Sequence, residues 1–302
     1  MRPAILIHRA APLTTLQDAG RPGLLRYGIS ASGPMDGGAF RRAGYWLGGA
    51  GSTGIEFTSA GLGFTVEGGT LGAAFDGGAF TLTVDGAEKL WPTRAMLKPG
   101  AVVEIRPGAA GNYGYVRFDR EVEVPAVLGS RSTSSMAGLG GWQGRTLAAG
   151  DVIPFGASVP RQLSQHPRPA DVRDGPIRVL WGIHADLFDG AARERFVSEA
   201  FEVSPRLDRM GVRLRDLAGV FASGRALSLV SDAVVPGDIQ ILGDGTPIVL
   251  MRDHQPTGGY PRIGTVISAD LDRLAQMRPG TAVAFRPVTV EHAHQLLRSQ
   301  AG

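Results

Sequence analysis

The chain has 302 residues, 43% of them hydrophobic, and a formal net charge of +3. This length suits one large domain or two of about 150 residues each. The absence of cysteine excludes disulfides, thiolate metal sites and cysteine nucleophiles.

The start of the chain predicts a protein without a leader or a membrane anchor. Only a four-residue apolar run precedes His8 and Arg9. A signal peptide needs about 7–15 apolar residues and a membrane span about 20. We therefore expect a cytoplasmic protein that does not contact a membrane.

Short strands are the main predicted elements. The 44 glycines and 20 prolines favour tight turns, because glycine reaches positive φ without steric cost. Runs rich in β-branched and aromatic residues, bounded by Gly, Pro, Asp or Asn, predict the strands between the turns. These strands lie at 4–8, 54–58, 63–67, 73–75, 80–84, 102–106, 113–118, 152–155, 177–181, 226–230, 238–241, 248–251, 264–267 and 282–285.

Helices are few, and we expect them at 36–47, 186–197, 270–276 and 290–299; the second shows an apolar stripe at i, i+3 and i+4 spacing. The pattern predicts a mainly β protein.

One turn-and-strand pattern occurs three times. A basic or small residue, a Pro-Gly or Ala-Gly turn and an alternating strand follow one another at 98–105, 148–155 and 278–285. The first and last copies are separated by more than half of the chain, which favours two comparable β units. The proline-rich stretch 165–170 predicts a linker. We expect domains at 1–170 and 171–302.

Four segments combine glycine with polar side chains, at 15–23 continuing to 32–36, at 129–134, at 208–214 and at 253–261. In the second, backbone N–H groups, the hydroxyls of Ser132 and Thr133 and the Arg131 guanidinium could converge on a carboxylate; the alternative is a Ser/Thr-rich turn whose arginine bonds a nearby backbone carbonyl. In the fourth, Asp253 could orient an amide N–H or accept a proton, or simply cap a turn.

Cofactor motifs are missing from the sequence. There is no GxxxxGK[ST] phosphate loop, and neither Lys89 nor Lys98 lies in a context that could carry tethered biotin. The six histidines are scattered, so we expect no metal. The arginines are also scattered rather than clustered, so we expect no nucleic-acid partner.

Five stretches in order resemble the biotin-dependent carboxyltransferase-like family, which includes the C subunit of 5-oxoprolinase (KipA), allophanate hydrolase subunit 2 and the carboxyltransferase domain of urea carboxylase. The stretches are LQDAGRPG at 16–23, SGPMD at 32–36, VPAVLGSRST at 124–133, DRMGVRL at 208–214 and DHQPTGGYP at 253–261. Pro256 departs from the family pattern, which has threonine there.

The resemblance implies two cyclophilin-like β-barrel domains related by internal duplication. It also implies two partners, the KipI-like B subunit and the A subunit, in an ATP-dependent complex that opens 5-oxoproline to glutamate. ATP would be bound on the complex rather than by this chain alone. Urea or allophanate chemistry and non-catalytic regulation of a KipI-like protein are the alternatives.

The candidate site residues come from these stretches, together with Gln240. Asp253 and Gln17 are the catalytic candidates, expected to orient the ring amide of a small amide substrate. The substrate-binding candidates are Asp36, Arg131, Ser132, Thr133, Arg209, Gln240, Thr257, Gly258, Gly259 and Tyr260.

Overall fold

The computed structural model describes residues 2–159, 174–222 and 228–301, and strands dominate this part of the chain. The prediction of a mainly β fold is confirmed: the main sheets form a half-barrel and a nearly closed barrel. Two compact units are present, residues 1–23 with 31–171 and residues 24–30 with 172–302. The linker predicted at 165–170 lies outside the described residues, and the domain division at 170 stays a prediction.

The first unit is built on a ten-stranded sheet with the order β2-β3-β8-β4-β1-β10-β9. A long strand, β5, pairs with β8 and carries β6 and β7. The elements are β1 (Ala4–Ala10), β2 (Thr15–Gln17), α1 (Gly37–Trp46), β3 (Gly54–Thr58), β4 (Leu62–Glu67), β5 (Leu71–Val84), β6 (Ala87–Lys89), β7 (Thr93–Leu97), β8 (Val102–Phe118), β9 (Arg120–Val122) and β10 (Val152–Ser158).

Two pairs of predicted strands are single strands in the structure. The predictions at 73–75 and 80–84 join in β5, and those at 102–106 and 113–118 join in β8. The register between β5 and β8 shifts beside Ala79. The glycines at this point, which the sequence pattern interprets as a turn, therefore mark a β-bulge. A Cβ on Gly78 would lie 2.7 Å from the Gly111 Cα, which explains why the crossing needs glycine.

The second unit is built on an eight-stranded sheet with the order β19-β12-β13-β16-β15-β18-β11-β20, and β14 and β17 form a separate two-stranded ribbon. Its elements are β11 (Ile177–Trp181), α2 (Gly190–Ser198), β12 (Phe201–Leu207), β13 (Gly211–Arg215), β14 (Asp232–Ala233), β15 (Asp238–Ile241), β16 (Pro247–Leu250), β17 (Thr257–Gly258), β18 (Arg262–Val266), α3 (Ser268–Ala275), β19 (Ala282–Val283), β20 (Phe285–Pro287) and α4 (Val290–Ala301). Short 3₁₀ turns lie at Leu25–Tyr27 and Ala185–Leu187.

One short segment links the two ends of this second sheet. β19 pairs antiparallel with β12, and β20, one residue further on, pairs parallel with β11. The strand predicted at 282–285 is therefore split, because its two halves belong to opposite edges. An edge strand exposes unpaired backbone N–H and C=O groups. Here one segment pairs with the backbone of both β12 and β11, so neither of these strands is left at an open edge.

The predicted helices are all present, with shifted bounds. Asp36 and Asp189 are the N-caps of α1 and α2, each accepting from a backbone N–H three residues on. The prediction at 186–197 spans a 3₁₀ turn and then α2. The strand predicted at 226–230 falls partly on residues that the structure does not describe, and residues 228–230 are not in a strand. No helix among the described residues is long and apolar enough to cross a bilayer.

The repeated turn is the same in all three places. Gly100, Gly150 and Gly280 have φ between 86° and 94°. Each glycine N–H donates to a strand carbonyl, that of Val66, Ile7 and Val203 respectively, at 2.7–2.8 Å. The N–H of that strand residue in turn donates to the carbonyl of the residue that follows the glycine, at 2.9 Å in each case. The recurrence of this two-bond unit in both halves supports the duplication.

Candidate functional site

A carboxylate-binding cradle lies where the turn after β2 meets the 129–134 loop of the first unit. The carboxylate it binds is that of Asp18. This group accepts from Ser130 Oγ at 2.5 Å, the Arg131 N–H at 2.6 Å and Ser132 Oγ at 2.7 Å. The Gly20 N–H donates at 2.9 Å. The loop predicted to cradle an anion therefore binds a side chain of its own unit.

Asp18 is ionised by this arrangement. Burial raises the pKa of its carboxyl, but the hydrogen bonds from Ser130, Ser132 and the backbone N–H groups of Arg131 and Gly20 outweigh burial and lower the pKa below its ordinary value. A carboxylate that accepts several hydrogen bonds is a strong link between two segments. Asp18 therefore fixes the turn after β2 against the 129–134 loop.

Gln17 bridges the same loop to the segment before α1. Its Nε2 donates to Thr15 Oγ1 at 2.9 Å and to the Thr133 carbonyl at 3.2 Å, and its Oε1 accepts from the Gly33 N–H at 3.0 Å. The side chain is fully buried. These contacts give Gln17 a positioning role, and the prediction that it orients a substrate amide stays a prediction.

The segment before α1 is held through its backbone amides. Met35 N–H donates to Glu56 Oε2 at 2.7 Å, and Asp36 N–H donates to the Tyr115 hydroxyl at 2.7 Å. That hydroxyl in turn donates to Glu56 at 2.9 Å. Burial, with the negative charges of Glu56 and Asp36, raises the pKa of Tyr115 well above its ordinary value, so it stays a donor. Asp36, a predicted substrate ligand, accepts here from the Ala39 N–H as a helix cap.

The other predicted ligands of the first unit differ in exposure. Ser132 and Thr133 are fully buried, and the Thr133 hydroxyl donates to the Leu16 carbonyl at 3.0 Å. The Arg131 side chain is 30% exposed. Its Nε donates to the Val124 carbonyl at 2.8 Å, and its Nη1 lies 3.7 Å from Glu121 Oε1. Among the three predicted ligands of this loop, only the Arg131 side chain is accessible to solvent.

A buried arginine secures α1 above the sheet. Arg117 donates to the Phe40 carbonyl at 3.0 Å and to the Gly51 carbonyl at 2.6 Å, with its guanidinium 4.0 Å from the centre of the Phe40 ring. Burial lowers the pKa of Arg117 to about 10. Gly54 lies beneath the side chain of this arginine, where a Cβ would approach the arginine Cδ to 2.5 Å.

The second unit contains a separate cluster, centred on a buried ion pair. Arg209 Nε donates to Asp253 Oδ2 at 2.8 Å and Nη2 donates to Oδ1 at 3.2 Å. Each side chain is 5% exposed. One guanidinium donates to both Asp253 oxygens, so the carboxylate is oriented by Arg209. The catalytic assignment of Asp253 stays a prediction, and the contacts give it a positioning role.

Gln240 lies against the segment that follows Asp253 and has an incomplete set of hydrogen bonds. Its Oε1 accepts from Gln255 Nε2 at 3.3 Å, and its Nε2 has no partner among the described residues, although the side chain is 1% exposed. A Cβ on Gly258 would lie 2.3 Å from this Nε2. Glycine is therefore required for β17 to pass over the amide.

The remaining predicted ligands follow along the same segment. Thr257 and Tyr260 are exposed, and Gly258 and Gly259 are half-buried. The Gly259 carbonyl accepts from the Leu229 N–H at 2.8 Å. The structure thus brings the predicted residues into two clusters, one in each unit.

Several polar residues in these clusters were missed by sequence reasoning. Asp18, Glu56 and Tyr115 organise the first cluster, and His254 lies in the second. Burial lowers the pKa of His254, whose Nδ1 is 2.6 Å from the Gln255 carbonyl. Asp18 and His254 lay within the stretches already singled out. Glu56 and Tyr115 gave no such signal, because single polar residues in strands are usually exposed.

Comparison with known proteins agrees with the architecture. Residues 27–287 match the model of the carboxyltransferase domain, subdomain A and B. The C subunit of 5-oxoprolinase from Escherichia coli (strain K12) is 34% identical, over 97% of this chain and 94% of that protein. The protein of the same name from Haemophilus influenzae is 31% identical, over 94% and 91%.

A solved structure extends the likeness to the fold. The urea amidolyase of K. lactis superimposes over 100% of this chain with a TM-score of 0.89 and 27% identity. This chain spans only 20% of that protein. The family match over most of the chain and the two relatives above 30% identity lead to one conclusion: the chain belongs to the carboxyltransferase domain family, subdomains A and B.

Proposed function

We propose that the chain is the C subunit of an ATP-dependent 5-oxoprolinase, which opens 5-oxoproline to glutamate together with its A and B subunits. The observation that carries this proposal is the extent of the match. Two proteins named as the C subunit of 5-oxoprolinase correspond to this chain over more than nine-tenths of their own length. The urea amidolyase of Saccharomyces cerevisiae corresponds over 17% of its length.

ATP is assigned to a partner protein in this proposal. The two lysines, Lys89 and Lys98, are exposed, on β6 and at the turn before β8. Neither belongs to a phosphate-binding loop of the P-loop type. ATP supplies the free energy for opening a stable lactam, and this chain contributes polar groups that bind and orient the substrate. The KipI-like B subunit and the A subunit are the proposed partners, in the cytoplasm.

The direct experiment is 5-oxoproline-dependent ATP hydrolysis by this chain, alone and mixed with the proteins encoded beside it. We expect hydrolysis from the mixture and none from the isolated chain. Full activity of the chain alone would contradict the dependence on partners. A mixture that forms a complex and hydrolyses ATP without regard to 5-oxoproline would contradict the assignment of substrate.

Carboxyl transfer to urea is the second candidate, and the superposition on urea amidolyase favours it. Such a reaction would use biotin on another chain, so avidin should abolish urea-dependent activity of the complex and leave lactam opening unaffected. A third possibility is a KipA-like regulator that binds a KipI-like protein. It predicts tight pairing, with no turnover lost on replacing Asp253.

We expect Arg131→Ala to raise the KM for 5-oxoproline roughly 10–100-fold, the loss expected for a charge-assisted hydrogen bond to the substrate carboxylate. Stability should change little, because the Arg131 side chain is 30% exposed and its Nε makes one backbone hydrogen bond. Arg106→Ala, on an exposed position of β8, is the control. An unchanged KM would remove Arg131 from the substrate site.

A further inference from the structure

We propose that the side-chain amide of Gln240 is a binding site for the carbonyl oxygen of a small amide, with β17 as its cover. The inference rests on the proposed function only for the choice of probes. Its starting point is a buried donor without an acceptor: Gln240 is 1% exposed and its Nε2 has no partner among the described residues. Buried donors are nearly always paired, so this one calls for an explanation.

The direction of the free donor is set by a second glutamine. Gln255 Nε2 donates to Gln240 Oε1 at 3.3 Å, which places the Gln240 Nε2 on the side of Gly258. Gln255 therefore orients the Gln240 amide but does not accept a hydrogen bond from its Nε2. A side chain at position 258 would fill the space directly above the amide, where a Cβ would come to 2.3 Å.

The charged residues of the surrounding segments favour a neutral group of the ligand at the Gln240 amide. Arg262 donates to Asp232 Oδ2 at 2.7 Å and lies 3.3 Å from Asp238 Oδ2. Arg209 is paired with Asp253. Since these two cations already have carboxylate partners, a carboxylate placed against the Gln240 amide would lose its hydration without gaining a counterion, so the carboxylate of 5-oxoproline would lie elsewhere. A carbonyl oxygen of a lactam or of urea is the acceptor that fits.

Access to the amide requires movement of a small element. β17 has two residues and, among the strands that the structure describes, pairs with β14 alone, in the registers Asp232–Gly258 and Ala233–Thr257. An isolated two-stranded ribbon is marginally stable in water. β14 is anchored by Arg262, which donates to the Ala233 carbonyl at 2.7 Å. We infer that β17 is the strand that moves aside to admit a ligand.

The experiment measures stability and ligand binding on the same full-length variants. In Gln240→Met the unpaired donor is gone, so the melting temperature should stay the same or rise, while the Kd for 5-oxoproline or urea should weaken about tenfold. Gln255→Met should weaken the same Kd to a smaller extent, because Gln240 loses its orientation. Gln295→Met, on an exposed position of α4, is the size-matched control and should change neither quantity.

The outcomes separate a ligand site from a structural glutamine. Weaker binding with unchanged or raised melting temperature supports the proposal. A lower melting temperature in Gln240→Met, unchanged binding, or no saturable binding of either probe by the wild-type chain overturns it. Turnover of 5-oxoproline by a complex containing Gln240→Met, at the wild-type rate and KM, would overturn this inference and leave the proposed function standing.

Discussion

Asp18→Asn should lower the free energy of unfolding by about 2–4 kcal/mol at neutral pH, the range expected when a buried, charge-assisted network loses one acceptor. In the native protein one carboxylate oxygen accepts from Gly20, Ser130 and Ser132, and the other accepts from the Arg131 N–H. Asparagine keeps one oxygen. Its amide nitrogen would face the Arg131 N–H, so two donors would oppose each other.

The size of this effect should depend on pH in a defined direction. The folded-state pKa of Asp18 lies below its ordinary value of 3.8. The unfolded chain therefore binds the proton more tightly, and stability from this group rises with pH. The contribution is fully present above pH 3.8 and is lost as the pH falls through the lowered pKa. The wild-type and Asp18→Asn unfolding free energies should converge in acid.

Chemical denaturation of wild type and Asp18→Asn at pH 7 measures the loss of unfolding free energy. The same measurement at a series of pH values below 4 shows whether this loss disappears in acid. Asp85→Asn is the matched control, because Asp85 is exposed and accepts one hydrogen bond from the Val102 N–H. That replacement should cost well under ~1 kcal/mol. A difference between wild type and Asp18→Asn that stays constant into acid would show that the carboxylate charge is not what matters.

The Asp18 cradle also shows how far the sequence could predict the site. Ser, Thr and glycine at 129–134 indicated a loop whose hydroxyl and backbone N–H groups bind a ligand carboxylate, and the carboxylate that they bind in the structure is that of Asp18. The carboxylate lies more than a hundred residues earlier in the chain, and no local pattern pairs such distant groups. A loop of this composition can bind a ligand or a side chain of its own fold, and only the fold decides which.

The division of two long strands was predicted wrongly for a different physical reason. Glycine in a sequence indicates a turn because it permits positive φ, yet Gly77, Gly78 and Gly111 lie inside long paired strands. There they permit close approach of two backbones rather than chain reversal. The Pro-Gly and Ala-Gly turns at 99–100, 149–150 and 279–280 were predicted correctly because each is followed by an alternating strand. An alternating strand directly after the glycine was therefore the feature that distinguished a turn from a bulge.

Breaking the Arg209–Asp253 pair should have the largest effect on the second unit. Arg209→Met leaves a buried carboxylate without its partner, and Asp253→Leu leaves a buried guanidinium, so each single replacement should cost about 3–5 kcal/mol. Both side chains are 5% exposed, so water compensates little. The double variant should lose much less than the sum, because it removes both charges from the interior together.

A double-mutant cycle in denaturant measures this coupling, with the Arg215–Glu202 pair as control. That pair links β13 to β12, at 2.8 Å, but its side chains are 53% and 26% exposed. Its coupling should be below about 1 kcal/mol. If the single replacements at Arg209 and Asp253 each lower the free energy of unfolding by less than about 1 kcal/mol, the pair is hydrated.

The same cycle separates positioning from catalysis at Asp253. If the carboxylate only holds Arg209 and the start of β13, the folded double variant should keep part of its turnover in the complex, with the loss mainly in KM. If the carboxylate transfers a proton, turnover should vanish in Asp253→Leu and in the double variant alike, even where the double variant is stable. The two oxygens of Asp253 are both engaged by one guanidinium, so we expect the first result.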